Sequence, residues 1–322
     1  MSPRVRGMIA IALSAACFGV MSLLAKVAVT PLLPAAPQAI QRWARHPVTP
    51  AETVLYRSVL GWLGMLAVAR VLRASSSRDN SVLLALRGFF GGMAVLAFFF
   101  AYAHTDLSKA SLIGYAYPVF SILFARVFFR ERLSTSTVLL LGLGLAGVAM
   151  ILWPRGAAAA GRFASFGIGD LSALAASIFS GAAIAILRRL RREEETVSVV
   201  LHFTFWCSVV SLPAVALSAL AGAPPSIPDV PHVILLLLIA FVAVVGQLLL
   251  THGYRHCDTA EGGTLSLLNA VFAVILGVLI LGETMVWTTW VGGGMTLGAC
   301  GFLLAQKKAG RRAEGSGAPN ES

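Results

Sequence analysis

Ten apolar runs, each close to the length of a bilayer crossing and separated by short polar or turn-forming joints, constrain this chain more than any other feature. They fall near residues 8–29, 51–72, 84–104, 108–128, 134–153, 168–187, 197–220, 232–253, 262–282 and 285–305. About 20 apolar residues in a helix cross the hydrocarbon core of a membrane. In that core every backbone N–H and C=O must be bonded within the chain, so runs of this length span it as helices. The joints are of the opposite kind, among them Arg73-Ala-Ser-Ser-Ser-Arg-Asp-Asn80, Arg130-Glu-Arg132, Arg188-Arg-Leu-Arg-Arg-Glu-Glu-Glu195 and Ala223-Pro-Pro225. The expected fold class is an all-α integral membrane protein with ten transmembrane helices. Only 12% of the residues are charged, against about 25% in a soluble domain.

The net charge of +11 raises the question of a nucleic-acid partner. The cations sit in clusters between apolar runs, without the basic-aromatic interleaving of a nucleic-acid surface, so no such partner is expected. With the N-terminus in the cytoplasm, the inner segments hold eighteen of the 25 Lys and Arg residues, Arg87 counted among them, and the outer segments hold five. The other two, Lys26 and Arg57, lie inside spans. That bias predicts a multi-pass protein of the cytoplasmic membrane with both termini inside. The first run follows Arg4 and Arg6 as a secretory signal would, but it is too long for a signal core. The cysteines, Cys17, Cys207, Cys257 and Cys300, have no metal-ligand spacing. They read as small packing residues, and neither a metal nor a cofactor is expected.

The two halves of the chain resemble each other. A shift of 152 residues places Tyr102, His104 and Asp106 on Tyr254, His256 and Asp258. The same shift places Val119-Phe120 on Val271-Phe272, Glu131 on Glu283 and Gly142 on Gly294. Nearer the start of each half the shift is 162, with Gly7 on Gly169, Gly19 on Gly181 and Lys26 on Arg188. Five spans per half is an odd number, so the halves insert in opposite directions. This predicts two inverted five-helix repeats, an arrangement that puts a substrate site near the bilayer midplane between them. The expected divisions are 1–153 for the first repeat, 154–167 for an outer loop, 168–306 for the second repeat and 307–322 for a disordered cytoplasmic tail.

Particular motifs resemble the drug/metabolite transporter superfamily, and in it the EamA-type ten-span members. They are Glu52-Thr-Val-Leu-Tyr-Arg-Ser58, Leu86-Arg-Gly-Phe-Phe-Gly91, Tyr115-Ala-Tyr-Pro-Val-Phe120 and Arg130-Glu-Arg-Leu133 in the first half. The second half carries Leu265-Ser-Leu-Leu-Asn-Ala-Val-Phe272 and Leu281-Gly-Glu283. The likeness runs from about residue 7 to 306, except that the loop from Thr30 to Pro50 is longer than the family usually has. It implies a secondary transporter that moves a small organic metabolite by alternating access. The arginine-bearing second and third spans resemble members that handle amino-acid-like, carboxylate or adenosylmethionine-like substrates. A multidrug or organic-cation exporter of the same fold is the alternative.

Several residues are candidates for substrate contact, each with a plainer alternative. Arg57, two turns inside the second span, is costly there unless it faces a cavity or a partner; it either forks to an anionic substrate group or bridges to Glu52. Tyr115, Tyr117 and Pro118 occupy the middle of the fourth span, where proline removes a helical hydrogen bond and the freed carbonyl of Gly114 needs protein or cavity water. Asn269, Gln247, Ser266 and His202 are polar at similar depth, and either face substrate or join helices. Tyr117 and Asn269 are equivalent under the 152-residue shift, so they are expected to face each other across the repeat axis. Lys26, Glu131 and Glu283 lie at span ends and read as gating or structural residues. Gly294-x-x-x-Gly298, with Gly142, Gly144 and Gly147 in the matching span, offers a close-packing surface within the fold or for a homodimer. The expected partners are thus a small-molecule substrate, the lipid bilayer and, through those glycines, a second copy.

A membrane-embedded enzyme is the rival reading. No span carries two aspartates or a metal-binding His pair, and no Gly-x-Ser-x-Gly turn occurs. A passive channel lacks its rings of like charge or a carbonyl filter. The charge bias generates a direct test of topology. A reporter fused after Lys308 is expected to read cytoplasmic and one in the loop 222–230 external; the opposite pair of signals overturns the inverted arrangement.

Overall fold

The structure is a computed structural model and is described over residues 2–30, 37–38, 48–73, 80–129, 135–152, 167–190, 193–223, 228–256 and 265–316. Among these residues the regular structure is entirely helical. The first half holds α1 (Pro3–Val29), α2 (Pro50–Leu72), α3 (Ser81–His104), α4 (Leu107–Gly114), α5 (Tyr117–Phe129) and α6 (Thr135–Leu152). The second half holds α7 (Ile168–Leu190), α8 (Thr196–Leu220), α9 (Val230–His256), α10 (Leu268–Leu281) and α11 (Trp287–Ser316). Seven stretches are both long and apolar enough to cross a membrane: α1, α2, α3, Leu107–Phe124 across α4 and α5, most of α7, α8 and α9. Val138–Ile151 in α6 and α10 itself are shorter apolar helices, so ten full-length crossings are not reached among the described residues.

Local chemistry sets the helix starts. Pro50 occupies the first turn of α2, where its missing N–H costs nothing, and Thr49 and Glu52 form a reciprocal cap. The Thr49 amide donates to Glu52 Oε2 at 3.0 Å, and the Glu52 amide donates to Thr49 Oγ1 at 3.3 Å. The expected kink at Pro118 is a full break. The Ala116 amide turns back to the Ile113 carbonyl at 3.1 Å, and the Val119 amide reaches the Ala116 carbonyl at 2.9 Å. Pro118 therefore stands in the first turn of a new helix, α5, rather than inside an old one. At the C-terminus, α11 runs on to Ser316, through residues from Lys307 onward that were expected to be a disordered tail. Residues such as Ala305, Gln306, Lys307 and Lys308 favour helix, and the preceding span supplies the nucleus. Residues 31–36 and 39–47 of the 30–50 loop, Glu131, Cys257, Asp258 and the segment 153–166 lie outside the described residues.

The helices pack in cross-half pairs: α1 on α9, α3 on α7, α2 on α8 and α6 on α11. Glycines make the closest approaches. A methyl group on Gly19 would stand 2.7 Å from Phe272 Cβ, and one on Gly181 would stand 2.6 Å from Phe120 Cβ. Where α6 crosses α11, Thr296 Oγ1 donates to the Gly144 carbonyl at 3.4 Å, and a methyl on Gly147 would meet that hydroxyl at 2.5 Å. By contrast Gly142, Gly294 and Gly298 have nothing within 4 Å of such a methyl, so the Gly294–Gly298 pair faces away from the α6 contact. The principal core gathers around Phe99, Tyr102, Leu107 and Ile113, while Leu13, Leu63, Leu139, Leu212, Phe241 and Leu279 point outward, as a lipid-facing belt requires.

This packing separates two neighbouring glycines. Gly147→Leu overpacks the α6–α11 crossing and is expected to cost about 1–3 kcal/mol, seen as a lower melting temperature in detergent, whereas Gly142→Leu is expected to leave it unchanged.

Candidate functional site

The site begins with the break between α4 and α5. It turns Tyr115 and Tyr117 inward and sets their rings 5.9 Å apart, nearly edge to face. Phe98 of α3 lies 6.2 Å from the Tyr115 ring and extends the aromatic wall to Tyr102. Opposite, α1 contributes Phe18, Met21 and Ser22, and α7 contributes Ser180, Ala183 and Ile184. Arg87, Phe203, Gln247, Leu250 and Ser266 line the end toward the α3 N-terminus. Together they bound a cavity of about 140 Å³. Helices of both halves line it, and no carboxylate stands among the lining side chains.

Of the candidate residues, Tyr115, Tyr117, Gln247 and Ser266 line this cavity. Asn269 does not: it stands behind the wall, where its side-chain amide donates to the Tyr115 hydroxyl and its Oδ1 is buried without a partner. The expected facing of Asn269 and Tyr117 is thus corrected to Asn269 with Tyr115, because the broken helix shifts which tyrosine is presented. Arg57 is also one layer back, 4% exposed. Its guanidinium lies 5.4 Å from the centre of the Phe99 ring, and Nη1 points at Met21 Sδ at 3.4 Å. No described carboxylate pairs with it, and Glu52 turns to its own cap instead of bridging to it. His202 is off the cavity altogether, its Nδ1 2.9 Å from the Ser198 carbonyl one turn back.

Arg87 was missed as a site residue. It is 4% exposed, with its guanidinium 4.3 Å from the centre of the Phe203 ring and Nη2 reaching Gln247 Oε1 at 3.5 Å. Gly91, one turn on, makes room for it: a methyl there would lie 2.7 Å from both Arg87 Nη1 and Phe203 Cε2. The sequence signal was the Arg-Gly-Phe-Phe-Gly run itself, an arginine followed one turn later by a glycine.

At the opposite end of the cavity polar groups of α1, α3, α4 and α7 and of the turn after α10 meet. Lys26 Nζ donates to the carbonyls of Tyr102 and Thr105, at 2.7 and 2.9 Å, and so caps α3. Glu283 takes the amides of Leu107 and Ser108, at 2.6 and 2.9 Å, and the Ser108 hydroxyl at 2.6 Å. Its carboxylate sits on the positive end of α4. Lys109 pairs with Asp170 at 2.6 Å, and Asp170 also accepts from Thr105 Oγ1 at 3.2 Å. Lys26 and Glu283 therefore hold helix ends together, while Glu131, the counterpart of Glu283, is outside the described residues.

An all-helical membrane bundle around a central cavity defines a solute carrier more naturally than any other class. The chain belongs to the EamA-like transporter family, whose model matches residues 5–153 and again 167–305. Among its relatives is the pseudopaline exporter CntI of Pseudomonas aeruginosa, 27% identical over 80% of this chain and 87% of that one. An uncharacterized transporter of Helicobacter pylori is 26% identical over 86% and 87%. The human solute carrier family 35 member G1 is 23% identical over 72% of this chain and 64% of that protein. A solved crystal structure of a protein matches with a TM-score of 0.53 at 18% identity, covering 92% of this chain and 98% of that one, and shows a shared fold alone.

The cluster at the Lys109 end gives a stability test. Glu283→Ala leaves the first amides of α4 without an acceptor and is expected to cost about 2–3 kcal/mol. Glu283→Gln, which keeps an acceptor but loses the charge, is expected to cost less, both read by thermal unfolding in detergent.

Proposed function

We propose that this protein is a secondary carrier that moves a small carboxylate-bearing organic metabolite across the cytoplasmic membrane by alternating access. The observation that carries the reading is the cavity itself: aromatic on its walls, free of lining carboxylates, and flanked by Arg87 and Arg57, neither of which has an acidic partner among the described residues. A carboxylate forks onto a guanidinium with two parallel hydrogen bonds. An organic cation is repelled by the same two guanidiniums, which disfavours the multidrug or organic-cation alternative.

Two inverted five-span repeats supply the two access states, and exchanged contacts support them. Gly19 meets Phe272 while Gly181 meets Phe120, and each of these four residues is the other contact's counterpart under the shifts of 162 and 152. Thr296 bonds to Gly144, its own equivalent, as residues beside a two-fold axis do. The family model matching once per half agrees. In this reading α11 completes ten crossings, the Lys109 end is external, and the cavity opens toward the cytoplasm. Likeness to a protein named as an exporter supports outward movement as the direction.

The test is uptake into liposomes carrying the purified protein, with amino acids, dicarboxylates, S-adenosylmethionine and tetraethylammonium as probes. Saturable accumulation of at least one carboxylate, chemically unchanged and without movement of tetraethylammonium, is expected. Saturable tetraethylammonium transport, or release of a reaction product, overturns the reading.

A further inference from the structure

Arg57 and Arg87 share an unusual condition. Each is 4% exposed, and a guanidinium keeps its charge in proteins, so two full positive charges are buried in one site without a counter-charge among the described residues. Arg87 Nε and Nη1 and Arg57 Nε have no hydrogen-bond partner at all. The contacts they do make are weak. Arg57 has a thioether, Met21 Sδ at 3.4 Å, and sulfur is a poor acceptor. Arg87 has a neutral amide, Gln247 Oε1 at 3.5 Å, beyond the distance of a good bond. Ring faces of Phe99 and Phe203 add cation–π attraction, but offer no acceptor for the orphaned N–H groups.

A buried charge left uncompensated is strongly unfavourable, so these positions make physical sense only if something else completes them. Met21, Phe99, Phe203 and Gln247 all line the same cavity. The two weak acceptors are therefore side chains a ligand can push aside, and behind each waits one cation. The same cavity is lined by aromatic rings, among them Phe18, Phe98 and Tyr115.

We propose that the substrate carries two acidic groups on one apolar body, one taken by Arg87 at the wall and the other by Arg57 once Met21 yields. This inference rests on the carboxylate reading above and narrows it. Arg87 is the primary anion contact because it already faces the cavity. Arg57 distinguishes diacids from monoacids. Gln247 positions the Arg87 fork and is displaced by the first carboxylate.

Two probes with the same phenyl body separate the cases: 2-phenylsuccinate, a dicarboxylate, and 3-phenylpropanoate, its monocarboxylate counterpart. Binding of each to the purified full-length protein in detergent is measured by calorimetry. Wild type is expected to bind phenylsuccinate at least about tenfold more tightly. In Arg57→Gln that preference should shrink to about twofold, with phenylpropanoate affinity unchanged. Arg87→Gln should lose both ligands. The melting temperature of the empty variants is a second readout, since removing an uncompensated buried charge should leave it equal to wild type or higher, whereas a structural arginine would lower it. Equal affinity of wild type for both acids, with Arg57→Gln silent, overturns the two-anion proposal and leaves the carboxylate reading standing. If neither acid binds wild type, and the carboxylates of the uptake panel fail as well, both fall together. A lowered melting temperature in the empty Arg57→Gln variant also counts against the proposal.

Discussion

A bilayer interior supplies neither water nor counter-ions, so each polar group placed there must find its partner within the chain or in whatever the chain binds. That constraint organises most of what is seen here. The break between α4 and α5 frees backbone groups at membrane depth, and it occurs where they face the protein interior. The short helix α4 is held at its start by Glu283 and behind its end by the Asn269–Tyr115 contact. Both holds come from α10 or the residue just beyond it. Lys26 meets the same demand by capping α3. The arginines at the cavity differ in kind from the neutral groups left over elsewhere, because Arg87 Nε and Nη1 and Arg57 Nε belong to buried cations with no acceptor among the described residues.

Polar contacts are spread unevenly along the bundle. At the Lys109 end Lys26 is held by backbone carbonyls, Glu283 by backbone amides and the Ser108 hydroxyl, and Lys109 by Asp170. Near Arg87 the polar contacts are neutral and long. α4 is fastened to α10 and the turn after it at both of its ends, and to α7 through Lys109 and Asp170.

Much of this fold was legible in the sequence because hydrocarbon imposes length, and length survives in a single chain as an apolar run. The internal shifts single out Gly19, Gly181, Phe120 and Phe272 as small and large residues in matching places, and Gly19 lies against Phe272 while Gly181 lies against Phe120. The helical turn at Lys307 and beyond was not legible, since composition there is polar and Gly-containing, and continuation from a preceding helix leaves no local mark. His202 and Asn269 were placed on the cavity because they are polar at the right depth. Depth is a matter of position along the chain, whereas facing is a matter of rotation. α8 is apolar nearly all round and carries no stripe to fix its rotation, so nothing local reveals that His202 turns aside.

Arg87 shows the same limit from the other direction. An arginine in the first turns of a span, at the end where cations cluster, reads naturally as one more inner-face charge, and the positive-inside bias counts it as such. What removes it from that group is tertiary: Phe203 from α8 lies under its guanidinium, Gln247 from α9 stands before it, and Gly91 on its own helix lets it fold inward. Gly91 is the one part of this arrangement that is local. An arginine that only snorkels to the interface has no use for a missing side chain one turn deeper into the membrane, because its stem runs the other way. Arginine followed one turn inward by glycine therefore has a different physical meaning from arginine alone: it describes a cation turned toward the bilayer centre, with a cavity as the reason.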